Sequence, residues 1–168
     1  MRQCMENNKV IVIGCPGSGK STFARKLQKI MGLPIYYLDR LYWNEDKTTV
    51  SKDIFRKRLA DTLNESRWII DGNYNSTIEL RIKSCDIVYF LDYPVETCIN
   101  GIKERLGKPR EDMPWIEMEE DVEFIDFIRN YSVTARPKIL ELLETHSDKN
   151  IIVFHSREEA EEYLKKII

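Results

Sequence analysis

The sequence predicts an α/β fold: a parallel sheet with helices on both of its faces. Three observations carry this. Short apolar runs recur along the chain, beginning with Val10-Ile11-Val12-Ile13, and they are continuous rather than alternating, as strands buried on both faces require. Between them apolar residues return at helical spacing. Strands that alternate with helices pair in parallel through right-handed crossovers, which lays the helices against both faces. With 168 residues, 42% hydrophobic and 32% charged, the chain is expected to form one domain over 1–168 with a sizeable core.

The elements follow in order. After a short polar lead-in from Met1 to Asn8, residues 9–13 form the first strand. Phe23, Ala24, Leu27, Ile30 and Met31 then share a helical stripe that Gly32 stops. Pro34 precedes a second strand, Ile35-Tyr36-Tyr37-Leu38, ending at Asp39. A polar stretch leads to a helix from about Ser51, with Phe55, Leu59 and Leu63 on one stripe. Trp68-Ile69-Ile70 is the third strand, closed by Asp71-Gly72, and Ile87 to Leu91 the fourth, closed by Asp92.

Pro94 opens a helix in which Val95, Cys98, Ile99, Ile102 and Leu106 share a face, with Gly107 at its end. From Lys108 to about Glu117 two prolines and weak periodicity predict an exposed loop. A helix from near Met118 offers Val122, Ile125, Phe127, Ile128 and Tyr131 as contacts, and Pro137 breaks or restarts it. Ile151 to Phe154 is the fifth strand, and Ser156 with Glu159 has capping-box spacing for a last helix.

Composition narrows the function. No run of about 18 apolar residues is present that would span a membrane, and no secretory leader opens the chain, so a cytoplasmic location is expected. Cys4, Cys15, Cys85 and Cys98 are scattered, and the two histidines, His146 and His155, are too few to complete a zinc site. A net charge of −2 and a pI near 5.8 weigh against direct nucleic-acid binding, which normally needs a basic face. Oligomeric state has no signature in the sequence.

Between the first strand and its helix lies Gly14-Cys15-Pro16-Gly17-Ser18-Gly19-Lys20-Ser21, followed by Thr22. The spacing G-x-x-x-x-G-K-[ST] is that of a Walker A phosphate-binding loop. Its glycines let backbone N–H groups turn inward around a phosphate, and the following helix presents its positive end to the same anion. Residues 14–22 are therefore the candidate ATP-binding residues. Lys20 is expected to reach the β- and γ-phosphates and Ser21 to ligate Mg²⁺.

In open α/β sheets ligands collect beyond the carboxyl ends of the strands. Asp71 ends the third strand and is the expected partner behind Mg²⁺; Asp92 is its rival, or a helix-capping residue. Gly72 after Asp71 leaves room for a ligand, which favours Asp71. Asp39, past the second strand, is either a hydrogen-bond acceptor or base toward a substrate hydroxyl, or a loop-forming residue. Tyr42 and Trp43 either stack on a flat group or pack. Lys103, Arg105, Lys108 and Arg110 are either solvated cations at a helix end or a lid over ATP, with Arg105 and Arg110 the candidates to neutralise the phosphoryl group. Arg129 and Arg136 are candidates for a second cation.

These motifs resemble the P-loop kinases built like adenylate kinase and shikimate kinase. Ile69-Ile70-Asp71-Gly72 is similar to the Asp-Gly of nucleoside monophosphate kinases, and Arg105-Leu106-Gly107-Lys108-Pro109-Arg110 to their arginine-rich lid entry. More closely, Tyr37 to Trp43, Trp68 to Tyr74 and Arg81 to Asp92 resemble bacterial DNA-topology-modulation proteins, a branch of that superfamily. The resemblance implies a P-loop NTPase three-layer sandwich with sheet order 2-3-1-4-5, ATP on the loop, an acceptor-side region at about 39–67 and a lid at about 106–120. It departs where those kinases follow Asp-Gly with an aromatic, a proline and a phosphate-gripping arginine: here Asn73-Tyr74-Asn75 stands, and whether Arg81 serves instead is left open.

The expected function is that of a Mg²⁺-ATP-dependent phosphotransferase acting on a small-molecule or nucleotide acceptor. Lys20, Asp39, Asp71, Arg105 and Arg110 are its candidate catalytic residues, and Ser21 and Asp71 its metal-binding ones. The alternatives are an ATP-binding regulator linked to DNA topology or gene expression, and an ATPase dependent on a partner protein. His155 and Arg157, past the fifth strand, are candidates to stack on the adenine. ATP is favoured over GTP by the resemblance, and no guanine-specific N-K-x-D segment is present.

Overall fold

The computed structural model describes residues 7–168; residues 1–6, with Cys4 and most of the expected lead-in, lie outside the described residues. Five strands form one parallel sheet: β1 (Lys9–Gly14), β2 (Ile35–Tyr37), β3 (Trp68–Asp71), β4 (Ile87–Leu91) and β5 (Asn150–Phe154), in the order β2-β3-β1-β4-β5. Every residue of β3 and β4 is buried, so side chains pointing to either face of the sheet meet packed helices. On one face Tyr89 of β4 and Phe154 of β5 meet Phe23 and Tyr163. Those two come from α1 (Lys20–Met31) and the last helix.

Register fixes what matters for function. Val12 of β1 lies beside Asp71, Gly14 beside Leu91, and Tyr37 beside Asp71. The carboxyl ends of these four strands thus finish on one edge. The remaining helices are α2 (Leu38–Tyr42), α3 (Lys52–Asn64), α4 (Asn75–Ser84), α5 (Val95–Glu104), α6 (Val122–Thr134), α7 (Arg136–Thr145) and α8 (Arg157–Lys166). Gly32 ends α1 in the left-handed conformation, where a glycine carries no Cβ penalty, and Pro137 restarts the chain in the first turn of α7. Ser51, Asp121 and Ser156 each cap a helix by accepting a backbone N–H.

Several expectations are corrected. The second strand stops at Tyr37, because Leu38 and Asp39 already belong to the first turn of α2. Helix α4 was not anticipated: its buried face is Thr77, Ile78, Arg81 and Ile82, half polar, so it carries little apolar periodicity. Leu106 falls beyond α5, which ends at Glu104. Helix α6 starts at Val122 rather than near Met118. Val122 and Phe127 are exposed, while Ile125, Ile128 and Tyr131 are buried. The stretch 108–117 is not simply an exposed loop, since Asp112 and Met113 are buried within it. Asp92 caps no helix; it accepts two hydrogen bonds from Arg136, both of 2.8 Å.

Candidate functional site

The phosphate loop is shaped by its glycines and by what presses on them. Gly17 (φ 85°) and Gly19 (φ 93°) occupy left-handed conformations, and a Cβ on Gly17 would come within 2.0 Å of the Cys98 carbonyl oxygen on α5. Gly19 caps α1, so the free N–H groups of that helix end and the loop backbone face one large cavity. Pro16, Gly17, Ser18, Gly19, Lys20, Ser21 and Thr22 line it; Gly14 and Cys15 are buried and do not. Gly14 is instead clamped by the side-chain amide of Asn73, which accepts from its N–H at 3.0 Å and donates to its carbonyl.

Asp71 closes β3 beneath the loop, almost fully buried. Ser21 Oγ donates to its Oδ2 at 2.5 Å, while Oδ1 has no hydrogen-bond partner among the described residues. Burial pushes this carboxyl up to about 6, against the pull of Lys20 and the Ser21 hydroxyl. A hydroxyl and a carboxylate with an uncommitted oxygen are hard donors of the kind Mg²⁺ takes. Mg²⁺ commonly binds through one or two protein oxygens, completing its shell with phosphate and water. No group of three or more His, Cys, Asp or Glu residues among the described residues forms an all-protein metal cage. The residues present fit that mode of binding. Ser18 Oγ is a second buried oxygen without a partner.

Asp39 faces the same cavity from α2. Tyr74 Oη donates to its Oδ1 at 2.7 Å. Burial raises its carboxyl, opposed by the Tyr74 hydrogen bond and the charge of Lys20. Lys20 lies within hydrogen-bond distance of the Cys15 carbonyl oxygen, at 3.4 Å. Its ammonium group therefore stabilises both Asp71 and Asp39 as carboxylates.

Across the cavity the segment 105–117 contributes Arg105, Lys108 and Arg110. Arg105 Nε lies 3.3 Å and Arg110 Nη1 3.4 Å from the same Glu117 carboxylate, and Arg110 also forks onto Asp112. The two arginines anticipated for phosphate are brought together, with acidic partners already in place. Burial and the neighbouring Arg110 charge push Arg105 below the ordinary guanidinium value. Lys103 faces Glu120 and Arg129 faces Asp126, both outside the cavity, as is Arg136. Arg157 lines the cavity; His155 does not, and its ring faces Glu159 instead.

Two features, at Arg81 and Arg40, were not legible in advance. Arg81 is wholly buried: its Nε donates to Thr77 Oγ1 at 3.2 Å, its Nη1 to the Gly72 carbonyl at 2.8 Å, and its Nη2 to the Asn73 carbonyl. It therefore fixes the turn after Asp71 and is not available to grip an acceptor. Arg40 of α2 donates to the carbonyls of Glu111, Arg110 and Met113, bridging α2 to the opposite segment. Tyr42 packs edge-on against Trp43, Phe55 and Tyr74, and Trp43 against Trp115; of these, Tyr42, Trp43, Tyr74 and Trp115 are also cavity walls. An amide just past Asp-Gly was the available signal for Asn73, since one side chain there offers a donor and an acceptor together.

No family model matches the chain. A shikimate kinase from Clostridium botulinum is 30% identical over 138 residues, covering 73% of this chain and 77% of that protein. An adenylate kinase from Thermosipho melanesiensis is 25% identical over 120 residues, 67% of this chain and 55% of the relative, so the chain spans about half the length of that protein. Among solved structures, the shikimate kinase of Acinetobacter baumannii in complex with shikimate superposes with a TM-score of 0.63 at 17% identity, covering 98% of this chain and 93% of that one. That likeness is one of fold. With the sequence kinship, the sheet order and the phosphate loop leading into α1, it establishes that the chain belongs to the P-loop kinase superfamily of adenylate and shikimate kinases.

Proposed function

We propose that the protein transfers the γ-phosphoryl group of ATP to a hydroxyl of a small-molecule acceptor. One observation carries the reading: the phosphate loop and Asp39 open into the same cavity of about 1210 Å³, with Lys20 acting on both carboxylates between them. Such a space exceeds the roughly 300–1,000 Å³ typical of a pocket for one small ligand. The acceptor enters beside Asp39. Its oxygen bonds to the γ-phosphorus as the bond from that phosphorus to the bridging oxygen breaks, its proton passes to Asp39, and ADP leaves.

The roles follow from position. Loop N–H groups and Lys20 hold the phosphates, and burial raises the Asp39 carboxyl toward the range useful for a base. Ser21 would hold Mg²⁺ directly, and Asp71 a water of its shell; the ion, when bound, neutralises charge on the phosphate oxygens. Arg105 and Arg110 stabilise the phosphoryl group once it draws them from Glu117 and Asp112. Superfamily membership supports the reaction class and leaves the acceptor to experiment.

The test is ADP release from Mg²⁺-ATP with a panel of nucleoside monophosphates, nucleosides and hydroxy acids including shikimate. One acceptor is expected to stimulate release about ten-fold or more, some 1.4 kcal/mol of barrier, and Lys20→Met to remove that stimulation. Undiminished transfer by Lys20→Met, or a flat response to every acceptor, would count against the proposal.

A further inference from the structure

Tyr74 is the one strained aromatic at the site. It holds φ 39° and ψ 73°, a left-handed conformation that a bulky side chain rarely adopts, at the start of α4. Several contacts impose it. Its carbonyl accepts from the Thr77 N–H at 2.8 Å and the Thr77 hydroxyl at 2.9 Å, while Arg81 binds the two carbonyls before it. Its ring is held between Phe55, at 5.0 Å between centroids, and Tyr42, at 5.3 Å. With backbone and ring both fixed, the hydroxyl has one place to be, and there it meets Asp39 Oδ1 at 2.7 Å.

We propose that Tyr74 is a positioning residue for phosphoryl transfer: it ties one oxygen of Asp39 and so aims the other at the acceptor hydroxyl. This rests on Asp39 being the acceptor-side base. Asp39 Oδ2 makes no hydrogen bond among the described residues, and both side chains line the cavity. A carboxylate held at one oxygen loses its rotation about the terminal torsion, which is the freedom that would otherwise misdirect a proton transfer. Burial and the Asp39 charge push the phenol far above its ordinary value, so Tyr74 donates and Asp39 accepts. The other charged groups acting on Asp39 are Lys20 of α1, Arg105, Arg110 and Asp112 of the opposite segment, and Asp71 of β3.

Tyr74→Phe tests this, because it keeps the ring, its packing and the backbone while removing one hydroxyl. In the free protein, the carboxyl ¹³C resonance of Asp39, assigned by its loss in Asp39→Asn, reports the tie without any acceptor. Its titration midpoint is expected to rise by about one pH unit in Tyr74→Phe. With the acceptor identified by the panel above, kcat is expected to fall on the order of ten- to a hundred-fold, with KM for ATP unchanged and the acid limb of the kcat profile moved to higher pH. An unmoved midpoint in folded Tyr74→Phe, even with lowered thermal stability, would overturn the tie and leave Tyr74 a packing residue. A moved midpoint with full turnover by Asp39→Asn would overturn the catalytic role through the base assignment itself, so the two failures are distinguishable.

Discussion

Arg81 carries its charge into the interior without a carboxylate bonded to it; Asp71 acts on it only through space. Burial pushes its pKa down to about 9, and carbonyl oxygens of the turn after β3 accept hydrogen bonds from its N–H groups in place of water. A planar fork suits neighbouring carbonyls in a way that a lysine ammonium does not. Arg81→Met would fill much of the volume and leave the half-buried Gly72 and Asn73 carbonyls without these donors. Each such orphan costs about 1–3 kcal/mol, so a loss of about 3 kcal/mol in unfolding free energy is expected by urea titration. An unchanged midpoint would mean that the turn finds other donors.

At the scale of an element, the segment between α5 and α6 is tied by charge pairs as well as by the burial of Met113 and the packing of Trp115 on Trp43. Asp112 is 5% exposed and forked by Arg110. Burial opposes its ionisation, but the hydrogen bonds and charge of Arg110 win, and its pKa lies below the ordinary value. A depressed carboxylate contributes stability that is present above its unfolded pKa, about 4, and is lost as pH falls through the lower folded one. Asp112→Asn should therefore unfold at lower urea than the wild type at pH 7, and the gap should close on acidification below about pH 4. A gap that persists would assign the effect to packing. What the sequence could and could not reveal divides at this level. β1, β4 and the phosphate loop are legible because continuous apolar runs and glycine spacing are local signals. Helix α4 is not, because Thr77 and Arg81 occupy half of its buried face. Spacing correctly puts Val122 and Phe127 on a helix, yet it cannot say which turns have a neighbour to cover them. At the site, the basic residues Arg105 and Arg110 could be anticipated but not that Glu117 and Asp112 would hold them. The tie from Tyr74 to Asp39 crosses 35 residues and leaves no periodic trace.

In the whole molecule, two glycines join the phosphate loop to the helix that leads into the segment opposite. A Cβ on Gly101 of α5 would come within 2.0 Å of the Gly17 carbonyl oxygen, as one on Gly17 would meet Cys98. The loop backbone thus lies directly on α5, the helix that leads into 105–117. Gly101→Ala is expected to displace the loop and to lose most of the rise in Tm that excess Mg²⁺-ATP gives the wild type, about 2.7 kcal/mol of stabilisation at a hundred times Kd. An equal rise in both proteins would show that the loop tolerates the push. Arg40 closes the opposite side, and its contacts carry a statement about populations. Its guanidinium is exposed to water, so its bonds to three carbonyls of the facing segment together hold that segment by only about 1–2 kcal/mol. Taken alone, a latch of that size would leave roughly one molecule in ten open, and the packing of Trp43 on Trp115 and the Tyr37 hydroxyl near Glu111 lower that share. Under the proposed reaction such a latch would shut the cavity against water during transfer, yet open it often enough that small molecules need not wait for the protein to unfold.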